Sequence, residues 1–293
     1  MNVIRTKLAL GSLASGSRLP LVMGILNVTP DSFSDGGKYA SPEAAVDRAV
    51  EMVAQGADLI DIGGESTRPG SLPVPEEEQL RRVIPVIRRI RALSDVPISI
   101  DTTRAAVAEA SLDAGADLVN DISAGLDDER MLPLVARRQV PVVLMHMQGK
   151  PLTMQVNPVY GDVVGEVKHF LSERLTFART IGIDPADVVL DPGFGFGKTV
   201  AHNLELLRGL AELKSLGCPL LVGVSRKKFI GVVTGETGDR PIGTAAVIAW
   251  CAANGAGIVR VHDVAAAVMV TRMIRAVQNA RVEERGSRVE DRG

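Results

Sequence analysis

Short apolar runs rich in β-branched residues alternate with longer segments of helical spacing along almost the whole chain. Eight runs predict strands: Leu21–Leu26, Asp58–Ile62, Ile98–Ile100, Leu118–Asn120, Pro141–Met145, Val188–Leu190, Leu220–Val224 and Ile258–Val261. The segments between them, whose apolar residues recur every three or four positions, predict helices: Ala44–Ala54, Glu76–Ile90, Arg104–Ala114, Arg130–Arg137, Val163–Thr180, Ala201–Leu213, Thr244–Ala253 and Ala265–Ala280. Eight strand–helix repeats predict an α/β fold, a single (β/α)8 TIM barrel over residues 21–280.

The main alternative is an open, doubly wound parallel sheet. That fold normally carries a glycine-rich phosphate loop directly after its first strand, and none follows Leu26. A repeated Gly-Ala-Asp tripeptide, at Gly56–Asp58 and Gly115–Asp117, is typical of a helix C-cap that turns back into a strand. The pattern therefore favours the barrel.

The two ends of the chain differ from this pattern. Residues 1–20 alternate weakly around two glycines, which predicts a short hairpin covering the bottom of the barrel. Residues 281–293 are charged or small, which predicts a disordered tail. The N-terminal segment lacks the apolar stretch of a secretory signal, and no apolar run approaches the roughly 20 residues that span a bilayer. We expect a soluble, cytoplasmic protein without a membrane partner.

Composition narrows the class of function. The chain has 293 residues, of which 46% are hydrophobic, enough for one large barrel core. The formal net charge of −2 offers no basic field for a nucleic-acid backbone, so no nucleic-acid partner is expected. Cys218 and Cys251 have apolar neighbours and no metal-like spacing, which predicts two reduced core thiols.

Polar residues stand where nearly every predicted strand ends. They are Asn27, Gly63–Arg68, Asp101, Asn120, His146, Asp191, Ser225–Lys227, Arg260 and His262. Asp and Asn also cap helices, so Asp101 alone could be a cap. Because the carboxyl ends of barrel strands converge on one pocket, their shared position favours an active site.

The charges in this pocket fall into two groups. Basic residues follow strands seven and eight, where barrels often bind phosphate: Arg226, Lys227, Lys228, Arg260 and His262. Carboxylates and an amide, from Asp101, Asn120 and Asp191, suit the N–H groups on the edge of a planar heterocycle. Phe196 and Met145 could flank such a ring, although core packing is the better interpretation for Met145 alone.

The segment Asp191–Thr199 contains Gly-Lys-Thr and invites interpretation as a nucleotide-binding P-loop. That motif requires glycine where Pro192 stands, so the P-loop interpretation fails. Its glycines instead allow a tight turn that places Asp191 and Phe196 at the pocket. The four histidines lack zinc-like spacing, and only His262 is a strong site candidate.

Two loops rich in Gly, Pro and polar residues, Asn27–Gly37 and Gly64–Ser71, follow the first two strands. They could close over a substrate, although plain surface loops have similar compositions. Their predicted position above the barrel mouth favours closure.

Together these motifs resemble the dihydropteroate synthase family. The matching segments are Gly24–Gly37, Asp61–Gly70, Ile100–Thr102, Asn120–Asp121, Asp191–Gly193, Ser225–Lys227 and Arg260–His262, within a resemblance that spans about residues 21–280. It implies a transferase of folate synthesis that condenses 6-hydroxymethyl-7,8-dihydropterin diphosphate with 4-aminobenzoate, giving 7,8-dihydropteroate and diphosphate. It also implies Mg²⁺ as cofactor, sulfonamides as inhibitors and a homodimer.

The resemblance carries roles onto individual residues. Pterin binding falls to Asp101, Asn120, Met145, Asp191, Phe196 and Lys227, and diphosphate binding to Asn27, Arg260 and His262. Asn27 would also ligate Mg²⁺. The aminobenzoate pocket would comprise Phe33, Thr67, Arg68, Pro69, Ser225 and Lys228, and the catalytic residues would be Asp35, Asp101 and Lys227. Lys228 stands where the family often has serine, so the grip on the aminobenzoate carboxylate stays open.

Two other classes of protein are alternatives to the synthase. A pterin-binding methyltransferase of the same superfamily would lack the long first loop and the Ser-Arg-Lys run at Ser225–Lys227. A noncatalytic pterin-binding homologue should have lost an anion-binding or Mg²⁺-binding residue. Neither loss is found, so the synthase is the favoured hypothesis.

Overall fold

The computed structural model describes residues 20–29, 42–67 and 70–280. Within these ranges lie eight strands: β1 (Leu21–Asn27), β2 (Leu59–Gly63), β3 (Ile98–Asp101), β4 (Leu118–Asp121), β5 (Val142–Met145), β6 (Val188–Asp191), β7 (Leu221–Val222) and β8 (Ile258–Val261). The α-helices there are α1 (Pro42–Ala54), α2 (Glu76–Leu93), α3 (Ala105–Ala114), α4 (Met131–Arg138), α5 (Val163–Thr180), α6 (Val200–Arg208), α7 (Leu210–Leu213), α8 (Lys228–Thr234), α9 (Pro241–Ala253) and α10 (Val264–Asn279). Each predicted strand is confirmed.

The strands form one parallel sheet in the order β6-β5-β4-β3-β2-β1-β8-β7. A parallel bridge between Leu190 and Leu220 brings the two edges together, and the Leu190 amide donates to the Pro219 carbonyl at 2.9 Å. The sheet is therefore nearly closed, with helices outside, and the predicted TIM barrel is confirmed.

The strands are mostly apolar because both of their faces are buried, and their polar residues lie mainly toward their carboxyl ends. An inner layer of side chains fills the lower barrel: Met23, Leu59, Leu118, Val143, Val189, Leu221 and Ile258. The opposite faces, represented by Ile60 and Ile62, pack with the helices in the main core. Since side chains alternate along a strand, the residues two positions beyond the inner layer also point inward, one layer higher.

The Gly-Ala-Asp tripeptides turn the chain as predicted, with Gly56 at φ 99° and Gly115 at φ 114°. Their aspartates also tie neighbouring strands together. The Asp58 carboxylate accepts from the Val22 amide, and that of Asp117 from the Ile98 amide, each at 2.8 Å. The tripeptide thus fixes the lower rim of the barrel.

The helices of the structure differ from the predicted ones in two places. The helix predicted over Ala201–Leu213 is divided at Gly209 into α6 and α7, and a Cβ on Gly209 would lie 2.8 Å from the Val164 side chain. Helix α8 was not predicted, because its seven residues give too little periodicity.

The predicted hairpin, apart from Pro20, and the predicted tail of residues 281–293 lie outside the described residues. Among the residues that are described, no helix is long and apolar enough to cross a membrane. Both cysteines are buried free thiols, as expected.

Candidate active site

The upper layer of the barrel interior is polar. Asp61, Asn120, Asp191 and Arg260 each stand two positions after a residue of the apolar inner layer, and Asp101 ends β3 beside Asn120. All four acidic and amide side chains are nearly inaccessible, from Asp61 at 0% to Asp101 and Asp191 at 6%. The period of two along each strand therefore brings five distant residues into one small space.

Arg260 holds two of the carboxylates. Its Nε donates to Asp61 Oδ2 and its Nη2 to Asp101 Oδ2, both at 2.6 Å. Burial alone would lower the pKa of Arg260, but the two carboxylates together outweigh it and raise that pKa. Burial raises the pKa of Asp101 to about 7 against the opposing effect of Arg260. Asp101 is thus an ion-pair partner rather than a helix cap, and Asp128 accepts from the first amide of α3 at Ala105 instead.

Two buried acceptors face this cluster without a donor. Asn120 Nδ2 donates to Asp61 Oδ2 at 3.1 Å. Asn120 Oδ1 and Asp61 Oδ1 accept no hydrogen bond from any part of the chain that the structure describes. Burying an acceptor without a donor costs roughly 1–3 kcal/mol, so such groups commonly await a ligand. A heterocycle with several N–H groups on one edge supplies the missing donors.

Asp191 is aimed by the glycine-rich turn that follows β6. Its Oδ1 accepts from the Gly193 amide at 2.7 Å. Gly193 has φ 70°, and a Cβ there would lie 1.8 Å from the His146 carbonyl oxygen, so only glycine fits. Burial raises the pKa of Asp191 to about 6, although the Gly193 amide, Lys227 and Arg260 oppose the shift.

Lys227 and Phe196 form the opposite wall. The Lys227 ammonium lies 4.2 Å from the centroid of the Phe196 ring. Burial, followed by the charge of Arg260, lowers the pKa of Lys227 to about 8. Met145 packs with Phe196 and Ile122. The narrow inner pocket is lined by Thr67, Asn120, Ile122, Met145, Asp191, Phe194, Phe196, Gly223, Lys227 and Arg260. It combines acceptors, two cations and apolar faces, as a flat polar ring requires.

The inner pocket opens into a wider cavity of about 870 Å³, bounded by described residues. Here His262 Nδ1 lies 3.0 Å from Ser225 Oγ, and the same hydroxyl oxygen accepts from the His262 amide at 3.2 Å. Asn27 and Lys228 also line this cavity. Hydroxyl, imidazole, amide and ammonium groups make the outer cavity suited to anions.

Arg226 has φ 60°, a left-handed conformation that is uncommon for a residue with a side chain. Its amide donates to Thr244 Oγ1 at 3.3 Å, and its carbonyl accepts from Arg240 Nη1 at 3.0 Å. This bent backbone places Ser225 and Lys227, on either side of Arg226, on the walls of the cavities.

Most predicted site residues come together. The following residues line the two cavities or form an ion pair with a residue that does: Asn27, Thr67, Asp101, Asn120, Met145, Asp191, Phe196, Ser225, Lys227, Lys228, Arg260 and His262. The predicted residues Phe33, Asp35, Arg68 and Pro69 lie outside the described ranges.

Sequence reasoning missed two buried charges. Asp61 interrupts an apolar strand two positions after Leu59, and that inward register was the signal. Lys198 has no role once the P-loop interpretation fails, yet in the structure it is 3% exposed and donates to the Gly193 carbonyl. A lysine directly after a glycine-rich turn was the only available signal for it.

Comparison with known proteins agrees with this geometry. The family model described as "Pterin binding enzyme" matches residues 23–262. The chain is 50% identical to the dihydropteroate synthase of a Synechocystis strain, over 87% of this chain and 89% of that protein. The structure of Xanthomonas albilineans dihydropteroate synthase with 4-aminobenzoic acid superimposes with a TM-score of 0.85 at 49% identity, covering 90% of this chain and 94% of the other.

A Yersinia pestis dihydropteroate synthase in a sulfonamide drug complex is equally similar in fold. Its TM-score is 0.85 at 45% identity, covering 89% of this chain and 95% of the other. Family model, sequence identity and fold agree over nearly all of the barrel, and the relatives named here are synthases rather than methyltransferases. The chain therefore belongs to the pterin binding enzymes and, within them, to the dihydropteroate synthases.

Proposed function

We propose that this chain joins 6-hydroxymethyl-7,8-dihydropterin diphosphate to 4-aminobenzoate, releasing 7,8-dihydropteroate and diphosphate. The observation that carries this proposal is the set of buried acceptors in the upper layer of the barrel: Asn120 and Asp191 line the inner pocket, and Asn120 Oδ1 and Asp61 Oδ1 lack a donor among the described residues. A pterin presents a row of N–H donors on one edge, which matches that set. The outer cavity, whose polar and basic groups suit anions, adjoins this set of acceptors. The diphosphate and the second substrate would bind there.

The pterin occupies the inner pocket in this proposal. Asp191 and Asn120 accept its N–H groups, while Lys227 donates to its ring oxygen or nitrogen acceptors. Phe196 and Met145 cover its faces. Asp101 acts through its negative charge rather than through a direct hydrogen bond, because its Oδ2 already accepts from Arg260 Nη2 at 2.6 Å.

The diphosphate occupies the outer cavity, where His262 and Ser225 lie together. Arg260 keeps 18% of its side chain exposed, so it can reach the anion while it holds Asp61 and Asp101. Asn27 offers an amide oxygen at the same cavity. Mg²⁺ usually takes only one or two protein oxygens beside substrate phosphates, so this donor fits it. When bound, Mg²⁺ would neutralise charge on the leaving diphosphate.

The reaction needs no covalent intermediate with the protein. The methylene C–O bond breaks, and its electron pair leaves with the diphosphate. The lone pair of the aromatic amine forms the new C–N bond, and the amine then loses a proton to solvent. Asp101 and its neighbouring carboxylates stabilise the developing positive charge on the pterin, while Lys227 orients the ring. The proposal also assigns Asp35, in the first loop, to organising the closed site.

The 4-aminobenzoate lies above the pterin. Thr67, Ser225 and Lys228 line the cavity there, and the proposal adds Phe33, Arg68 and Pro69 from the two loops. Lys228, which stands where the family often has serine, supplies an ammonium for the aminobenzoate carboxylate.

A binding experiment tests the pterin assignment directly. Calorimetry with the unphosphorylated pterin alcohol should give one site per chain, and Asn120→Ala should weaken it. Equal affinity in Asn120→Ala and the unaltered protein would place the pterin elsewhere.

The pH dependence of pterin binding is expected to follow Asp191. Its pKa is raised to about 6, mainly by burial, so its carboxylate gains a proton as the pH falls through that value. A protonated carboxyl cannot accept two parallel N–H bonds, so affinity should fall by up to about tenfold per pH unit below about 6. Titration calorimetry from pH 8 to pH 5 measures it, with Asp191→Asn as the matched control. An equally steep pH dependence in Asp191→Asn would assign the effect to another group.

Sulfonamides are expected to compete with 4-aminobenzoate at saturating pterin diphosphate, because their aniline ring matches that substrate. Their binding should also require pterin, Mg²⁺ and pyrophosphate, since the outer cavity is completed by the bound diphosphate. Initial rates at varied 4-aminobenzoate measure the first effect, and calorimetry with and without the three ligands measures the second. Noncompetitive inhibition, or equally tight binding without those ligands, would contradict this pocket.

The proposal extends to assembly and location. A second copy of the chain is proposed to cover an apolar face on α9 and α10, where Ile242 is 78%, Met269 65%, Met273 63% and Val277 60% exposed. The last three recur every fourth residue on one side of α10, and exposed apolar rows of this kind commonly mark interfaces.

The cytoplasmic setting belongs to the same proposal, in keeping with two free buried thiols.

A further inference from the structure

Lys198 is a buried charge that the proposed reaction does not use. Its side chain is 3% exposed. The ammonium lies 2.9 Å from His146 Nδ1, 2.9 Å from the Gly193 carbonyl oxygen and 3.0 Å from that of Phe196. Burial lowers the pKa of Lys198 to about 7, and in the protonated form its three N–H donors are used by these three acceptors, with the His146 carbonyl oxygen farther away at 3.5 Å. Lys198 therefore has no donor left for a phosphate, in contrast to the lysine of a P-loop.

The acceptors of Lys198 lie at both ends of the glycine-rich turn that follows β6. The Gly193 amide holds the Asp191 carboxylate at 2.7 Å, while the carbonyl of the same residue accepts from Lys198. The Phe196 carbonyl also accepts from Lys198, while the Phe196 ring lies 4.2 Å from the Lys227 ammonium. One ammonium thus fixes Phe196, whose ring lines the inner pocket, and Gly193, whose amide holds Asp191.

The turn needs such a support because its backbone is unusual. Gly193, Gly195 and Gly197 have φ values of 70°, 80° and 60°. The Gly195 amide donates to Asn203 Oδ1 at 2.7 Å, and the Gly197 carbonyl accepts from the Tyr160 hydroxyl at 2.9 Å. These contacts fix the middle and the far end of the turn, whereas Lys198 ties its start to its end.

His146 supplies the side-chain acceptor for the Lys198 ammonium. Its ring is 5.0 Å from Phe170 in an edge contact and 6.0 Å from Tyr160. Burial, and then the charge of Lys198, lowers the pKa of His146 to about 3, so its neutral ring accepts at Nδ1. The ammonium is therefore held between the end of β5 and the turn after β6.

We infer that Lys198, seated on His146, is a positioning residue that holds Asp191 and Phe196 toward the pterin pocket. This inference rests on the proposed function, because it concerns the same pocket. Although its side chain also borders the outer cavity, Lys198 acts in this inference through its hydrogen bonds to the Gly193 and Phe196 carbonyls rather than through contact with a substrate. Its loss should therefore affect the pterin substrate far more than 4-aminobenzoate.

Three variants test the inference: Lys198→Met, which removes every donor, Lys198→Gln, which restores two N–H donors without charge, and Ile87→Ala as control. Ile87 is fully buried on α2, away from the turn. Each is measured for melting temperature, kcat and the KM of each substrate. We expect Lys198→Met to raise the KM of pterin diphosphate at least tenfold and that of 4-aminobenzoate less than threefold. Lys198→Gln should recover part of that loss, and Ile87→Ala should lower the melting temperature with both KM values unchanged.

Three outcomes would overturn the inference. They are an unchanged KM for pterin diphosphate in Lys198→Met, an equal rise for both substrates, and a Lys198→Gln variant as impaired as Lys198→Met, which would assign the effect to charge. If Lys198→Met does not fold, His146→Leu and Lys198→Gln decide by the same split between the KM values. An unaltered protein that forms no dihydropteroate would instead refute the proposed function.

Discussion

Replacing Asp191 with alanine is expected to lower kcat/KM by about a hundredfold or more while the barrel stays folded. Asp191 is 6% exposed and is held by the Gly193 amide, so its carboxylate is already oriented before the pterin arrives. Two charge-assisted hydrogen bonds of about 1.5 kcal/mol each correspond to that factor. Steady-state kinetics with both substrates measure the loss of kcat/KM, and a circular dichroism melt checks that the barrel stays folded.

The matched control for Asp191→Ala is Asp184→Ala. Asp184 precedes the same strand at the opposite end of the barrel, where its side chain accepts from the Ala186 amide. Its removal should lower stability slightly and leave kcat/KM within about twofold, since it caps one short turn. Near-normal turnover in Asp191→Ala, or an equal loss in both variants, would remove Asp191 from the site.

Replacing Arg260 with methionine is expected to cost roughly 3–5 kcal/mol of unfolding free energy, as well as activity. The side chain joins Asp61 and Asp101 at 2.6 Å each, and both carboxylates are buried. Without Arg260 they remain in the barrel as uncompensated charges. Chemical denaturation measures the loss. Arg137→Met, which breaks an ion pair with Glu109 at exposed positions, should cost less than about 1 kcal/mol.

The stability deficit of Arg260→Met should also depend on pH in a defined direction. The folded-state pKa of Asp101 is already raised to about 7, above its unfolded value, so burial favours the protonated acid. A group of this kind stabilises the fold below its unfolded pKa and loses that contribution as the pH rises through the folded pKa. Removing Arg260 should raise that pKa further. The deficit relative to the unaltered protein should therefore shrink between pH 8 and pH 5, and a deficit that grows would contradict the ion-pair account.

The fold could be predicted because each strand is buried on both faces and each is followed by helical periodicity. The segment Leu59-Ile60-Asp61-Ile62 shows what the sequence pattern alone does not predict, namely which face of a strand points into the barrel. Its apolar residues identify a strand, but only the barrel register reveals that Leu59 and Asp61 share the inner face. A period of two places Leu59 and Asp61 on the same face of the strand, but it does not show that this face points inward, because both faces are buried.

The partner of each charged residue could not be read from the sequence. Arg260 was predicted to bind diphosphate from its position at the end of β8, while its ion pairs with Asp61 and Asp101 cross 199 and 159 residues of chain. Contacts over such separations depend on barrel closure, which local patterns do not encode. Lys198 is a similar case, because its role depends on His146, which directly follows the neighbouring strand β5.

Whether this chain is a dihydropteroate synthase is measured by product formation with the purified chain, pterin diphosphate, 4-aminobenzoate and Mg²⁺. Chromatography of 7,8-dihydropteroate and a coupled assay of diphosphate follow both products in the same reaction. We expect equal amounts of the two products, and none when either organic substrate is omitted. Diphosphate release that is independent of 4-aminobenzoate, with no dihydropteroate formed, would contradict the proposed function.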